Sequence, residues 1–242
     1  MCYICAQLFF TMKKAAFFIF IIQIITVSTL LAQNVTQWRG LNRSGHYPDQ
    51  QLADKWDQGG PELLLNIEGL PESYSSVVVH NNVIYTSGIQ DEKEFLSAID
   101  LKGNILWNTP YGDAWTKSYS PARCTPTIDG DIAYVISGSG DLTTMVAIDK
   151  SNGETIWQSE SIQDQSGYTS PIYIERDNLN QIITVIGNHV LGVDAVNGSI
   201  IWKFNYTAIE KPMMGEDINP VTPLIKGDEI FVTSGYNHVG IM

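Results

Sequence analysis

Cysteine is nearly absent from this sequence, which excludes a fold held together by disulfide bonds. Only three cysteines occur among 242 residues, and Cys2 and Cys5 stand in an N-terminal segment that we predict to be removed. The remaining thiol, Cys124, cannot form an intramolecular bridge by itself. Since no activating group other than the adjacent Arg123 flanks it, we expect Cys124 to be buried inside a strand rather than reactive.

Basic residues are also scarce. The chain has 14 Lys+Arg against 26 Asp+Glu, a formal net charge of −12. Residues 1–32 contain two of the lysines and no acidic residue, so without them 12 basic residues face 26 acidic ones and the net charge is −14. Because nucleic-acid binding depends on Lys and Arg neutralising phosphates, this balance excludes DNA and RNA as expected partners.

Helical patterns are missing after residue 33, where no apolar stripe of 3.6-residue period reaches helical length. The one long apolar run, from Ala15 to Ala32, follows Lys13-Lys14. A basic start, an apolar stretch and a small residue at its end predict a secretory signal peptide over residues 1–32, with Met12 as an alternative start. An uncleaved transmembrane anchor is the alternative interpretation. Either way we expect an exported protein that contacts the membrane only through this segment.

Motifs for catalysis and metal binding are lacking too. The sequence has no Gly-x-Ser-x-Gly elbow, phosphate loop or dinucleotide fingerprint. Its histidines show no metal-ligand spacing, and we interpret them as turn or surface residues: His46, His80, His189 and His238. No catalytic residue and no metal ligand is therefore predicted.

What the sequence does contain is a short pattern that recurs three times. The copies run over 98–107, 147–157 and 192–202, and each ends in a tryptophan. A period of 45 to 50 residues between these tryptophans indicates a repeat architecture. The residues that define the repeat are Asp100, Gly103 and Trp107, then Asp149, Gly153 and Trp157, then Asp194, Gly198 and Trp202.

Each copy is predicted to form two strands joined by a tight turn. Asn152-Gly153 and Asn197-Gly198 predict type I′ hairpin turns, which need positive φ at both positions. We interpret the aspartate before each turn as a hydrogen-bond acceptor for turn amides rather than as a metal ligand. The tryptophan at the end of each copy is predicted to pack one unit against the next.

A second hairpin precedes each copy, with turns such as Asn81-Asn82 and Asp129-Gly130, and a fourth hairpin of this kind turns at Gly227-Asp228. Two hairpins per period give four antiparallel strands, which is the blade of an all-β propeller. We predict an N-terminal extension over 33–75, blades over 76–116, 117–163 and 164–210, and an incomplete blade over 211–242. Because a propeller must close to protect its sheet edges, we expect a longer parent chain to supply the remaining blades.

The repeat Ala-x-Asp-x-x-x-Gly-x-x-x-Trp resembles that of pyrroloquinoline-quinone (PQQ)-type β-propellers. The segments 37–45, 59–64 and 110–119 are similar to exported PQQ-like repeat proteins of bacteria, so the resemblance covers residues 37–242. It implies a periplasmic or extracellular location. It also implies that residues 61–68 add a ring-closing strand to the last blade, with Leu64 or Leu65 in place of the repeat tryptophan.

The resemblance leaves several functions open, because fold and function separate readily. Quinoprotein alcohol dehydrogenases of this group have a vicinal disulfide above the quinone and a carboxylate-bound Ca²⁺ below it. This chain has no Cys-Cys pair, and its Asp129-Gly130-Asp131 stretch has the character of a turn. We therefore expect a binding or interaction module for a protein or small-molecule partner. The alternatives are a PQQ- and Ca²⁺-dependent alcohol or sugar dehydrogenase, and a scaffold for outer-membrane protein assembly.

Candidate ligand-binding residues lie where the chain enters the first strand of each blade, because these strands line the centre of a propeller. They combine aromatic rings, hydroxyls and one cation: Tyr74, Ser76, Arg123, Thr125, Tyr168 and Ser170. This set suits a small polar ligand or a quinone. The alternative is that the hydroxyls only satisfy backbone groups at crowded strand starts, and that Arg123 forms a surface salt bridge of little energetic value.

Overall fold

Strands of the described chain form ladders only with antiparallel neighbours. The computed structural model describes residues 35–40, 43–47, 53–115, 122–209, 219–233 and 240–242, all within one compact unit, Val35–Met242. The predicted signal peptide lies outside the described residues. Within the described ranges no helix is long and apolar enough to cross a membrane.

Four sheets follow one another along the chain, and they confirm the predicted all-β propeller fold with three blades and part of a fourth. Blade 1 contains β1 (Val78–His80), β2 (Val83–Gln90), β3 (Lys93–Asp100) and β4 (Ile105–Asp113). Blade 2 contains β5 (Thr127–Asp129), β6 (Ile132–Ser139), β7 (Leu142–Asp149), β8 (Thr155–Gln158) and β9 (Ile162–Gln163). Blade 3 contains β10 (Ile172–Arg176), β11 (Leu179–Val185), β12 (His189–Asp194) and β13 (Ile200–Asn205). Blade 4 has β14 (Leu224–Lys226) and β15 (Glu229–Phe231).

The outermost strand of blade 2 is interrupted, which the four-strand pattern did not predict. Both β8 and β9 pair with β7, β8 near one end and β9 near the other. Between them Ser159 turns inward, where its N–H donates to the Met145 carbonyl and its hydroxyl oxygen accepts from the Met145 N–H. The segment that follows contacts blade 3, where the Asn188 N–H donates to Asp164 Oδ2 and the Gly187 N–H donates to the Gln165 carbonyl.

The prediction of type I′ turns at the repeats is wrong. Gly153 and Gly198 have positive φ, both +79°, but Asn152 and Asn197 do not. The turn is longer: Gly153 N–H donates to the Asp149 carbonyl at 2.8 Å, and Asp149 N–H donates to the Glu154 carbonyl at 2.8 Å. Only its last residue must be left-handed, which is why glycine stands there.

The repeat aspartates accept hydrogen bonds from the turn itself. Asp149 Oδ1 accepts from the N–H of Ser151 at 2.8 Å, and Asp194 Oδ1 accepts from the N–H of Val196 at 2.8 Å. Type I′ conformation occurs instead in the other hairpins, for example at Asn81-Asn82, where φ is +50° and +62°. These Asx-type bonds give the aspartate a structural role in every repeat.

The repeat tryptophans join neighbouring blades. The indole N–H of Trp107 donates to the Lys150 carbonyl at 3.1 Å, and that of Trp157 donates to the Ala195 carbonyl at 3.1 Å. Each ring also lies on the turn glycine of the next blade, since a Cβ on Gly153 would be 2.9 Å from Cδ2 of Trp107. Trp202 differs: its indole N–H donates at 2.9 Å to Gln181 Oε1 of its own blade.

Replacing Trp157 with phenylalanine should lower the free energy of unfolding by about 1 kcal/mol, because the Ala195 carbonyl loses one of its two inter-blade donors and keeps only the Tyr134 hydroxyl. Trp202→Phe is the matched control, because the indole N–H of Trp202 donates to Gln181 Oε1 of its own blade. We expect a smaller loss for the control in urea unfolding of the full chain. Equal losses would show that the inter-blade hydrogen bond adds nothing.

The core lies between the blades rather than within one of them. One hydrophobic cluster contains Leu96 of β3, Met145 of β7 and Ile182 of β11, all fully buried. Cys124 belongs to the same cluster. It is buried as predicted, but in the extended segment before β5 rather than inside a strand.

The interpretation of the histidines as turn or surface residues is wrong for two of them. His80 ends β1, is buried, and has its Nδ1 2.9 Å from the Thr36 hydroxyl. His189 begins β12 and contacts Asp164. His46 is exposed, and His238 lies outside the described residues.

Candidate functional site

The six predicted residues meet at one cavity of about 230 Å³, which we call the entry pocket. They come from the segments that lead into β1, β5 and β10. The segment before β14 contributes as well. The lining consists of Trp38, Tyr74, Ser76, Arg123, Thr125, Tyr168, Ser170, Pro220 and Thr222. The sequence analysis predicted the other lining residues, or the segments that contain them, as blade entries. It missed Trp38, because no pattern near Trp38 in the sequence indicates that the N-terminal extension reaches this pocket.

Arg123 lies between two aromatic rings. Its guanidinium carbon is 4.2 Å from the ring centre of Tyr168 and 5.3 Å from that of Tyr74. Such cation–π contacts are worth about 0.5–2 kcal/mol each, depending on exposure. The guanidinium therefore stacks on residues of the blades on either side, and the alternative of a surface salt bridge stays a prediction.

The hydroxyls of the entry pocket connect successive blades. Ser76 N–H donates to Thr125 Oγ1 at 3.2 Å, and Thr125 N–H donates to Ser170 Oγ at 3.2 Å. The alternative interpretation, that these hydroxyls satisfy backbone groups, thus holds for Thr125 and Ser170. Both roles are compatible, because a hydroxyl that accepts a backbone bond still has its own hydrogen to donate.

The entry pocket fits PQQ poorly. PQQ is a flat tricarboxylate, and a guanidinium pairs with one carboxylate in bidentate fashion. Among the described lining residues Arg123 is the one cation, and the Tyr74 and Tyr168 rings already stack on it. No carboxylate for Ca²⁺ stands among these lining residues either. We therefore derive no step through PQQ, whose binding stays a prediction.

A buried carboxyl, missed by the sequence analysis, lies between blades 1 and 2. Glu94 of β3 is 8% exposed, and its Oε2 accepts from the Gly138 N–H at 3.3 Å. Burial raises the pKa of Glu94 to about 8, although hydrogen bonds from Ser137 and Gly138 oppose the rise. Nothing in the sequence near Glu94 indicates this, because the residues that cover it come from the next blade.

The thiol beside this carboxyl is not activated. Cys124 lines the same small cavity of about 30 Å³ as Glu94 and Arg123. Burial raises the pKa of Cys124 to about 12, which leaves the thiol protonated and unreactive at neutral pH.

A second polar cluster locks blade 2 to blade 3. Asp164 Oδ2 is 2.7 Å from His189 Nδ1 and accepts from the Asn188 N–H at 2.8 Å, while Oδ1 accepts from Asn188 Nδ2 at 2.8 Å. The carboxylate is thus fully engaged, and its side chain is 2% exposed. Within the described ranges no three His, Cys, Asp or Glu side chains are grouped as metal ligands would be.

The predicted ring-closing segment 61–68 has no ladder partner among the described residues. Leu65 nevertheless takes a position like that of a repeat tryptophan, because its Cδ1 would be 3.2 Å from a Cβ on Gly103. Leu64 is 85% exposed, so of the two predicted leucines Leu65 makes this contact. Ring closure itself stays a prediction.

Comparison with known families gives one match over most of the chain. A family model described as outer membrane protein assembly factor BamB matches residues 49–242. No curated protein sequence gives a significant match.

Solved structures similar to this chain include both designed and natural proteins. The computationally designed Ika4 protein has 11% identity and a TM-score of 0.48, covering 75% of this chain and 96% of Ika4. BamB from Moraxella catarrhalis has 20% identity and a TM-score of 0.41, covering 69% of this chain and 42% of BamB. A europium-containing methanol dehydrogenase has 14% identity and a TM-score of 0.41, covering 58% and 26%. The chain thus spans less than half of either natural protein.

Proposed function

The chain belongs to the outer membrane protein assembly factor BamB family, and on that premise we propose that it is an exported interaction module that binds a partner without catalysing a reaction. Membership confirms the resemblance to PQQ-like repeat proteins. The family's description makes outer-membrane protein assembly the process in which we place this module.

The observation that carries the proposal is the convergence of binding groups on the entry pocket. A guanidinium stacked on Tyr168, and hydroxyls of Thr125 and Ser170 fixed by backbone bonds, meet at one cavity. Such preset donors and rings bind and orient a ligand. Inter-blade contacts of Trp107 and Trp157 support this proposal, since they hold the entry segments in a fixed relation.

The proposal is tested on the purified full chain in two arms. In the first, the chain is titrated with PQQ and Ca²⁺ and followed by absorbance and thermal unfolding. We expect no saturable change in either signal. A ligand that binds the native state stabilises it by about 2.7 kcal/mol at 100 times its Kd, so real binding would be evident. Stoichiometric binding, with reduction of an acceptor dye by alcohols, would replace the proposal by a quinone dehydrogenase.

In the second arm, the immobilised chain is exposed to detergent-solubilised cell envelope. We expect it to retain proteins of outer-membrane assembly, identified by mass spectrometry. Asp177→Asn is a suitable control variant, because Asp177 lies on an exposed turn away from the entry pocket. Retention of no assembly protein by either form would contradict the proposed process.

A further inference from the structure

We propose that the N-terminal extension binds a phosphate group through Arg39 and Arg43, on a loop that we call the arginine loop. The described residues of this loop are 37–40 and 43–47. The inference goes beyond the proposed function, because it concerns this loop and not the partner of the entry pocket. It is carried by the local charge, the unpaired guanidiniums and the backbone conformation of both arginines.

The local charge of the arginine loop is opposite to that of the chain. Residues 35–48 include Arg39 and Arg43 and no Asp or Glu, whereas the whole chain has 26 acidic against 14 basic residues. A local positive region attracts a small anion, while the negative charge around it repels polyanions such as nucleic acids. The charge pattern therefore favours a single anionic group.

Neither arginine has an anionic partner in the part of the chain that the structure describes. The ion pairs found there involve other basic residues, namely Lys93, Lys150, Arg176 and His189. The guanidinium carbon of Arg39 lies 5.6 Å from the centre of the Trp38 ring. This contact with a ring engages none of the in-plane N–H donors of Arg39, which stay available to a ligand.

Arg43 is the stronger indication, because its guanidinium is half-buried as well as unpaired. Its Nε is enclosed and has no hydrogen-bond partner among the described residues. Desolvation by this burial lowers the pKa of Arg43 from its ordinary value. A buried charge is stable when it is paired, so an anion at the terminal Nη atoms would supply the countercharge that Arg43 lacks.

The backbone of both arginines is left-handed, although neither lies in a hairpin. Arg39 has φ +67° and Arg43 has φ +55°. The other described non-glycine residues with positive φ are pairs that join two strands of one ladder: Asn81-Asn82, Asp91-Glu92 and Asp177-Asn178. Since glycine adopts this conformation without strain, arginine at these two positions indicates that the side chain itself is used.

The fold of the loop keeps the two arginines near each other and favours phosphate over carboxylate. Gly45 N–H donates to the Arg39 carbonyl at 2.9 Å, and Arg43 N–H donates to the Gly40 carbonyl at 3.0 Å. The Arg39 guanidinium packs on Gly45, where an added Cβ would lie 3.3 Å from Nε. One guanidinium is enough to pair with a carboxylate, whereas the additional oxygens of a phosphate group can accept from a second.

The test uses the full chain in calorimetric titrations with inorganic phosphate and with acetate. We expect saturable phosphate binding that weakens with added salt, and acetate binding weaker by about tenfold or more. Arg39→Gln and Arg43→Gln should each weaken phosphate binding by about tenfold or more, because each removes one guanidinium. Arg176→Gln is the matched control, since Arg176 already pairs with Asp177, and it should leave phosphate binding unchanged.

Arg39→Gly distinguishes a ligand-binding arginine from a structural one. Glycine relieves the left-handed backbone, so this variant should unfold at no lower temperature than Arg39→Gln. It should nevertheless bind phosphate as weakly as Arg39→Gln does. If Arg43→Gln fails to fold, Arg43→Lys keeps the charge but loses the planar fork, and it should bind phosphate more weakly than wild type.

Vesicles distinguish the two sources of the phosphate group. The chain is sedimented with phosphatidylcholine vesicles that contain or lack phosphatidic acid. Retention that requires phosphatidic acid and is lost in Arg39→Gln would support the inference with a lipid headgroup as the ligand. Phosphate binding without retention on vesicles would support it with a soluble phosphate as the ligand.

Three outcomes would overturn the inference. Acetate binding as tightly as phosphate would mean that the site does not select phosphate. Unchanged phosphate affinity in Arg39→Gln would mean that the two arginines do not act together. Binding of neither phosphate nor vesicles would refute the inference alone, because the proposed interaction module is judged separately by envelope capture.

Discussion

Replacing Gly198 with alanine should lower the free energy of unfolding by about 2–5 kcal/mol. The residue has φ +79°, a conformation that costs other L-residues about 1–2 kcal/mol. In addition, a Cβ on Gly198 would lie 2.6 Å from Cε3 and 3.0 Å from Cδ2 of Trp157. That ring is packed and hydrogen-bonded to the Ala195 carbonyl, so it cannot move without breaking the contact between blades 2 and 3. Overpacking of this kind adds about 1–3 kcal/mol.

Gly227→Ala is the matched control, because it separates the backbone cost from the packing cost. Gly227 also has positive φ, +57°, but a Cβ there meets nothing within 4 Å. We expect the control to lose about 1–2 kcal/mol, the backbone cost alone. Denaturant unfolding of both variants measures the difference. Equal losses of unfolding free energy in the two variants would mean that the Trp157 ring moves aside at no cost. Glycine would then be required at position 198 only for its backbone conformation.

Glu94→Gln should remove a pH dependence of stability and make the protein more stable in alkaline solution. The pKa of Glu94 is raised by burial from 4.5 to about 8 in the folded chain. Below pH 4.5 the carboxyl is protonated in both states and imposes no cost. Between pH 4.5 and about 8 the unfolded chain ionises first, so stability falls as pH rises through this window. Above about pH 8 both states are ionised and the loss is complete.

The size of this effect is on the order of 3–5 kcal/mol between its two limits, since one pKa unit corresponds to about 1.4 kcal/mol. Glutamine keeps an oxygen for the Gly138 N–H and has no charge to desolvate. The variant should therefore resemble wild type at pH 4 and exceed its stability at pH 9. Glu160→Gln, at an exposed site, should follow wild type throughout. Parallel stability–pH curves for wild type and Glu94→Gln would contradict a buried, protonated Glu94.

The blades could be predicted because their signals are local. Turn pairs such as Asn81-Asn82 and alternating apolar residues determine a hairpin within about ten residues, and three repeats at similar spacing leave few folds other than a propeller. The prediction of a type I′ turn at Asn152-Gly153 was wrong, and the reason is equally local. The Asp149 carbonyl and carboxylate bind the turn amides and lengthen it, and the dipeptide alone does not reveal this competition.

The site could be predicted only in part. Alternation and strand starts were enough to select Arg123, Tyr74 and Tyr168, and the structure brings them together at one pocket. The guanidinium can stack on both rings only because three blade entries come together in space, although 45 to 49 residues separate them in sequence. No local pattern reports the distance between such segments.

By itself, the sequence determined the all-β repeat, the positions of the hairpins and the acidic, cysteine-poor character of the chain, because these follow from residue type and short-range spacing. Only the tertiary structure decided that Trp157 packs on Gly198, that Glu94 is buried against Ser137 and Gly138, and that Trp38 reaches the entry pocket. The physical reason is that each of these contacts joins separate segments of the chain. The energy of each contact therefore depends on how these segments pack against one another, and the neighbouring residues in the sequence do not determine that packing.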